Sequence, residues 1–281
     1  MTFVAPARRL RRFALGAVLL ATASAWAQGT SAAASQLAML KATQVGMPPA
    51  SVIFIGSSFF YYNNGINGHV TQMATTASPR QALRATLVAI SGSGFDWHDV
   101  ESYFRPDAIG RYSFDAANNV VFNPPAKRLF DAAVMMDCSQ CPLHPDLKGI
   151  FTEYARRHAD TVRRHGARPV FFMSWAYQDK PEMTAQLADA YTRAANDNDA
   201  LVIPAGLAFA RVASSHPEID LYQPDKRHPT LAGSYLAAAT TYATLFGRSP
   251  VGLPYTAGLD PAVARVLQQA AQATVHDYLG R

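Results

Sequence analysis

The chain alternates short, almost purely apolar runs with longer amphipathic ones, and few folds accommodate that pattern. The short runs are Ser51–Gly56 (SVIFIG), Ala85–Ser91 (ATLVAIS), Ala132–Met136 (AAVMM), Pro169–Trp175 (PVFFMSW) and Ala200–Pro204 (ALVIP). They are continuously apolar instead of alternating, as parallel strands covered on both faces must be. Helix-length stretches lie between and after them: Ile66–Thr76, Leu147–His165, Glu182–Asn196, Pro229–Phe246 and Pro261–Tyr278. Pro229 and Pro261 each suit a first helical position. In the helix from Pro229, Leu231, Tyr235, Ala238, Tyr242 and Phe246 recur at three- and four-residue steps and define a core face. Strand-like and helix-like runs in alternation predict a three-layer α/β/α sandwich with about five parallel strands, spanning 51–281. The stretch from Trp97 to Arg128 fits neither pattern and reads as a long irregular insertion.

Charge is informative only after the first residues are set aside. The formal net charge is +5, but Arg8, Arg9, Arg11 and Arg12 stand in a segment without acids, and the remainder holds 21 basic against 20 acidic residues. That balance argues against a nucleic-acid binder, whose basic surface belongs to its folded domain. The segment itself reads as an export signal over residues 1–27. A basic start is followed by an apolar stretch from Phe13 to Ala23, and Ala25-Trp26-Ala27 supplies the small residues of a cleavage site. The mature chain then begins near Gln28 in the periplasm or outside the cell, with 28–50 as a tail before the fold. No later run reaches the ~18 apolar residues a membrane span needs. Arg11-Arg12 leaves the twin-arginine route open beside the general one.

The two cysteines, Cys138 and Cys141, stand in Cys-Ser-Gln-Cys after the third apolar run. In an oxidising compartment they are expected to bridge across a tight turn. A zinc site needs more ligands than His144 adds, and Pro142 occupies the place where haem attachment needs histidine. A redox-active dithiol is the other reading of the pair.

Chemistry is expected at the carboxyl ends of the strands, where open α/β sheets bind ligands. The first run ends there in Gly56-Ser57-Ser58-Phe59, and Asp225-Lys226-Arg227-His228-Pro229 precedes a late helix. A serine hydroxyl is a weak nucleophile and needs a base within hydrogen-bond reach. An imidazole serves if a carboxylate holds its other nitrogen protonated and oriented, and Asp-x-x-His in a loop closed by proline can fold back to do so. The chain lacks a Gly-x-x-x-x-Gly-Lys loop, a His-Glu-x-x-His helix and a Gly-x-Ser-x-Gly elbow.

These blocks resemble the SGNH (GDSL-type) esterase-lipase family. Gly56-Ser57-Ser58-Phe59 stands where that family has Gly-Asp-Ser-Leu, and Asp225-x-x-His228-Pro229 leads into Ala232-Gly233-Ser234-Tyr235-Leu236 like its final block. The resemblance implies a flavodoxin-like sheet and a serine esterase acting on O-acylated carbohydrate or lipid, without metal or organic cofactor; the N-terminal segment makes it an exported one. It implies Ser58 as nucleophile, His228 as base and Asp225 as its orienting acid. Ser58 and Gly92, the latter in Ser91-Gly92-Ser93-Gly94, would supply oxyanion N–H groups, with Gly94 as an alternative to Gly92.

One departure is plain. The asparagine of the family's third block is missing from Met136-Asp137-Cys138-Ser139-Gln140-Cys141. Gln140 is the available substitute donor, and Asp137 should point away from a site of developing negative charge. Phe59 to Tyr62, together with Trp175 and Tyr177, are expected either to line a pocket or to pack. His98 is a candidate substrate contact, while His69, His158, His165, His216 and His276 are expected at the surface or in packing roles. Two rival functions stand beside this one: thiol–disulfide exchange through Cys138 and Cys141, and non-catalytic glycan binding on the same fold.

Overall fold

A computed structural model describes residues 39–44, 46–105, 112–122 and 128–280. The expected export signal, residues 1–27, lies outside them. In chain order the elements are β1 (Ser51–Gly56), α1 (Ser58–Tyr61), α2 (Ile66–Thr76), β2 (Arg84–Ala89), α3 (Val100–Tyr103), β3 (Tyr112–Phe114), β4 (Val120–Phe122) and β5 (Ala132–Met135). There follow α4 (Lys148–Arg164), β6 (Arg168–Phe172), α5 (Met183–Asp197), β7 (Leu201–Ile203), α6 (Ala205–Ser215), α7 (Leu231–Phe246) and α8 (Pro261–Leu279).

Five strands form one parallel sheet in the order β2-β1-β5-β6-β7. Apart from the separate β3–β4 hairpin, this is the 2-1-3-4-5 order of flavodoxin-like folds, whose chain reverses direction across the sheet beside its first strand. That switch point lies between β1 and β5, where Ile53 pairs with Thr86 on one side and Ala133 on the other. Val52, Ile53, Phe54 and Ile55 are all fully buried. A strand covered on both faces loses the alternating pattern, which is why it is legible as an apolar run.

The structure departs from expectation at four points. Residues 97–128 are not wholly irregular: they include α3 and the antiparallel β3–β4 hairpin. The turn between β3 and β4 is organised by Asp115, whose Oδ1 accepts from the N–H groups of Ala117 and Asn119. Helix α6 was not anticipated, because it begins directly after the apolar β7 with Pro204 as the only intervening residue. Helix α7 starts at Leu231, not Pro229: Pro229 bridges to Tyr222 in extended form, and the Thr230 hydroxyl caps the helix by accepting from Gly233 N–H. Nor does α7 have a single core face. Ala232 to Phe246 are all buried, because α2, α6 and α8 all pack on it. Its small residues permit that approach; a Cβ on Gly233 would stand 2.5 Å from the Leu221 carbonyl oxygen.

Pro261 does occupy the first turn of α8, behind an Asp260 cap. Before β1, Leu40 is buried, Lys41 N–H donates to Asn196 Oδ1, and the N–H groups of Ala50 and Ser51 donate to Asp131 Oδ2. Among the described residues no helix is long and apolar enough to cross a membrane.

Candidate active site

Ser58 begins α1 with only Ser57 between it and the end of β1, so the sheet itself places it at the carboxyl edge beside the switch point. Ser58 Oγ lies 2.8 Å from His228 Nε2 although 170 residues separate them. The opposite nitrogen, Nδ1, pairs with Asp225 Oδ2. Asp225 Oδ1 accepts the backbone N–H groups of Arg227 and His228, each at 2.9 Å. The carboxylate therefore closes its own loop and orients the imidazole at once. Partial desolvation works against its charge, but the His228 and backbone hydrogen bonds outweigh it and hold the carboxyl down at about 2. The structure thus brings together the three residues of the sequence-derived triad.

The loop carrying Asp225 and His228 is gripped from the β6 side. Trp175 is fully buried between Phe59 and Phe209, stacked at ring-centroid distances of 4.5 and 4.1 Å. Its Nε1–H donates to the Arg227 carbonyl at 2.9 Å. Gln178 N–H donates to the Lys226 carbonyl, Gln223 N–H to the His228 carbonyl, and the Arg227 guanidinium sits over the Tyr177 ring. Trp175, Phe59 and Phe60 are buried, so packing is their observed role. Phe60 stacks edgewise on Phe54 and Phe172 in the core.

Asn63 grips the loop from the other side, a residue that the sequence reading missed. Its Nδ2 donates to the Pro229 carbonyl and to Ser234 Oγ, both at 2.9 Å. Its own carbonyl lies 2.6 Å from Nε2 of buried His69, whose Nδ1 meets Tyr255 Oη at 2.7 Å. The signal available in the sequence was the pair Asn63-Asn64, the residue types other than glycine that best tolerate the left-handed backbone both adopt here.

The oxyanion candidates divide. Gly92 lies in the turn after β2 at φ +73°, a conformation suited to glycine, with open space where a side chain would project. Gly94 is enclosed: a Cβ there would stand 2.7 Å from Asp96 Oδ1 and 3.2 Å from Asp137 Oδ1. Gln140 is exposed on the turn between the cysteines. Asp137 is buried and accepts the N–H groups of Phe95 and Cys138, tying the turn after β5 to the loop after β2. Burial pushes its carboxyl up to about 6, against the pull of those two hydrogen bonds.

His98 does not face an open crevice. It is buried between Ser93 Oγ and Tyr103 Oη, and burial, with His158 nearby, lowers it to about 4. His158 is likewise internal, with Nε2 2.9 Å from the Phe95 carbonyl.

Cys138 and Cys141 are disulfide-bonded, with Cα atoms 5.2 Å apart. Donor atoms of Asp137, Cys138 and Cys141 cluster within 4.8 Å, but both sulfurs are committed to the bridge. Helix α4 starts only at Lys148, so its N-terminus does not reach the pair to lower a thiol pKa.

Strand order, the switch-point serine and the histidine loop define an α/β/α fold of the SGNH-hydrolase type. No protein-family model and no curated protein matches the sequence. Solved structures do match in fold. A DUF4886 family protein from Bacteroides uniformis superposes with a TM-score of 0.57 at 17% identity, covering 80% of this chain and 94% of its own. The acetylxylan esterase Axe2 from Geobacillus stearothermophilus gives 0.50 at 16% identity, with coverages of 75% and 98%. A protein from Slackia heliotrinireducens assigned to the SGNH hydrolases gives 0.50 at 19%, with coverages of 69% and 98%.

Proposed function

We propose that this chain is an exported serine esterase that hydrolyses carboxylic esters through an acyl-enzyme. The observation that carries the reading is the continuous arrangement Ser58 Oγ–His228 Nε2 and Nδ1–Asp225, which joins two distant parts of the chain. Ser58 Oγ attacks the ester carbonyl while its proton passes to His228 Nε2. The imidazolium then returns that proton to the departing alkoxide, and a water repeats the cycle to release the acid. Asp225 stays ionised throughout and stabilises the imidazolium. The N–H groups of Ser58 and Gly92 are the proposed oxyanion donors.

O-acylated carbohydrate or lipid is the proposed substrate class. The fold's likeness to an acetylxylan esterase supports the carbohydrate side of it. Exposed Tyr61 and Trp97 agree with a sugar-bearing substrate, since both follow the loops that end β1 and β2. Export rests on residues 1–27 and predicts a mature N-terminus near Gln28, which N-terminal sequencing of the secreted protein checks.

The deciding experiment is fluorophosphonate labelling of the mature protein with site mapping. An adduct on Ser58, absent from Ser58→Ala, is the expected result. An intact protein that takes up no label and hydrolyses no short-chain activated ester would overturn the reading.

A further inference from the structure

Besides Ser58 and Asp225, the imidazole touches two aromatic rings, Phe59 and Tyr62. Tyr62 is half-buried and lies face to face with His228, ring centroids 4.4 Å apart and planes 16° from parallel. Tyr61 stacks behind it at 5.6 Å and 19°, and the Tyr61 hydroxyl donates to Ser91 Oγ at 3.2 Å. Asn63, the next residue, is pinned to Pro229 and Ser234. Tyr62 is therefore held in sequence from both sides, with its ring against the imidazole.

The two nitrogens of His228 are taken by Ser58 and Asp225, so only its faces and carbon edges remain for packing. Phe59 meets the ring at a steep angle, 78° at 5.5 Å, whereas Tyr62 covers a face. Rotation of the imidazole away from Ser58 must break the parallel stack. When the serine proton arrives at Nε2 the ring becomes a cation, and an aromatic face at this distance attracts a cation.

We infer that Tyr62 is a positioning residue: its π face holds the His228 ring aligned with Ser58 and Asp225 and favours the imidazolium during turnover. This rests on the serine-esterase reading. The charged group in contact with the ring is Asp225. The neighbouring cations are drawn elsewhere: Arg227 onto Tyr177, and Lys226 to within 3.9 Å of Asp179.

The test compares Tyr62→Phe, which keeps the π face, with Tyr62→Leu and Tyr62→Met, which fill the space without it. Two readouts are needed: the pH profile of kcat/KM on a short-chain activated ester, and an NMR titration of His228 in isotopically labelled protein. Tyr62→Phe should match the wild type. In the two aliphatic variants the imidazolium should bind its proton about 2.5–5-fold more weakly, moving both the acid limb and the NMR midpoint to lower pH. Plateau kcat/KM should fall further than that, because alignment is lost as well.

Midpoints in Tyr62→Leu and Tyr62→Met equal to the wild type overturn the inference. So does a Tyr62→Phe variant as impaired as Tyr62→Leu, since the hydroxyl would then be the active group. The NMR arm needs no turnover. A protein without esterase activity defeats the functional reading, while the titration still decides whether Tyr62 stabilises the imidazolium.

Discussion

Replacing Asp225 with asparagine changes one atom's chemistry and leaves the volume intact, so its consequence can be worked through the hydrogen bonds. Asp225 Oδ1 accepts from the N–H groups of Arg227 and His228, while Oδ2 faces His228 Nδ1. Asparagine has one oxygen acceptor and an NH2 donor. With the oxygen turned away from the loop, the NH2 would confront two backbone N–H groups, each left without its acceptor. With the oxygen kept on those donors, the NH2 points at Nδ1. The second orientation is favoured because it preserves two hydrogen bonds.

An NH2 facing Nδ1 selects the tautomer in which Nδ1 accepts and Nε2 carries the proton. A protonated Nε2 cannot take the proton of Ser58, and no carboxylate remains to stabilise an imidazolium. Asp225→Asn should therefore lower kcat by roughly 10²–10⁴, equivalent to about 2.7–5.5 kcal/mol in the barrier. The fold should hold, since the loop-closing hydrogen bonds survive. The assay is kcat on a short-chain activated ester, with thermal unfolding measured alongside. Activity within threefold of the wild type, when Ser58→Ala is inactive, would refute the reasoning and require another group to orient His228. The wild-type carboxyl titrates near 2, so an acid limb of the rate profile above about pH 4 does not belong to Asp225.

Further outcomes follow from other contacts. Ser58→Ala should abolish ester hydrolysis and Ser57→Ala should retain most of it, as measured by initial rates; the reverse result shifts the nucleophile by one residue. His228→Ala should be nearly as inactive as Ser58→Ala, and the double variant little worse, because members of one catalytic unit are not additive. Cys138→Ala with Cys141→Ala should lower stability by about 2 kcal/mol, the loop-closure entropy of four residues, yet leave hydrolysis working; denaturant unfolding and the ester assay check this, and loss of activity would favour thiol chemistry. Asp137 has a native pKa near 6, above the ordinary carboxyl value, so its contribution to stability is present at low pH and is lost as pH rises through 6. Asp137→Asn, which keeps an acceptor for Phe95 and Cys138, should thus gain about 2 kcal/mol on the wild type between pH 4 and pH 8. A difference independent of pH counts against it.

Most of the sheet was readable from the chain because β1, β5, β6 and β7 are buried, and burial removes polar residues from them whatever their neighbours; the half-exposed edge strand β2 keeps an apolar run without full cover. Strand order was not legible in that way, since every apolar run fits every other; the flavodoxin-like order came with the family resemblance carried by the short motifs. Those motifs singled out Ser58, Asp225 and His228, because a serine at a strand end and Asp-x-x-His are local arrangements. The supports of the site were not local. Trp175 donates to Arg227 across 52 residues and Asn63 to Pro229 across 166. Neither spacing leaves a trace in a linear pattern.

The same distinction separates the histidines and the late helix. His98 follows a glycine pair at the crevice edge in the sequence, yet the chain turns it inward onto Ser93 and Tyr103. Pro229 looks like a helix start because its φ suits one, but pairing with Tyr222 keeps it extended and passes the start to Thr230. Sequence alone determined what each segment prefers and which side chains carry reactive groups, because propensity and chemistry reside in the residue. Which groups meet, which faces are covered and which histidine stays in reach of solvent were decided by tertiary packing, where segments distant in the chain compete for the same space.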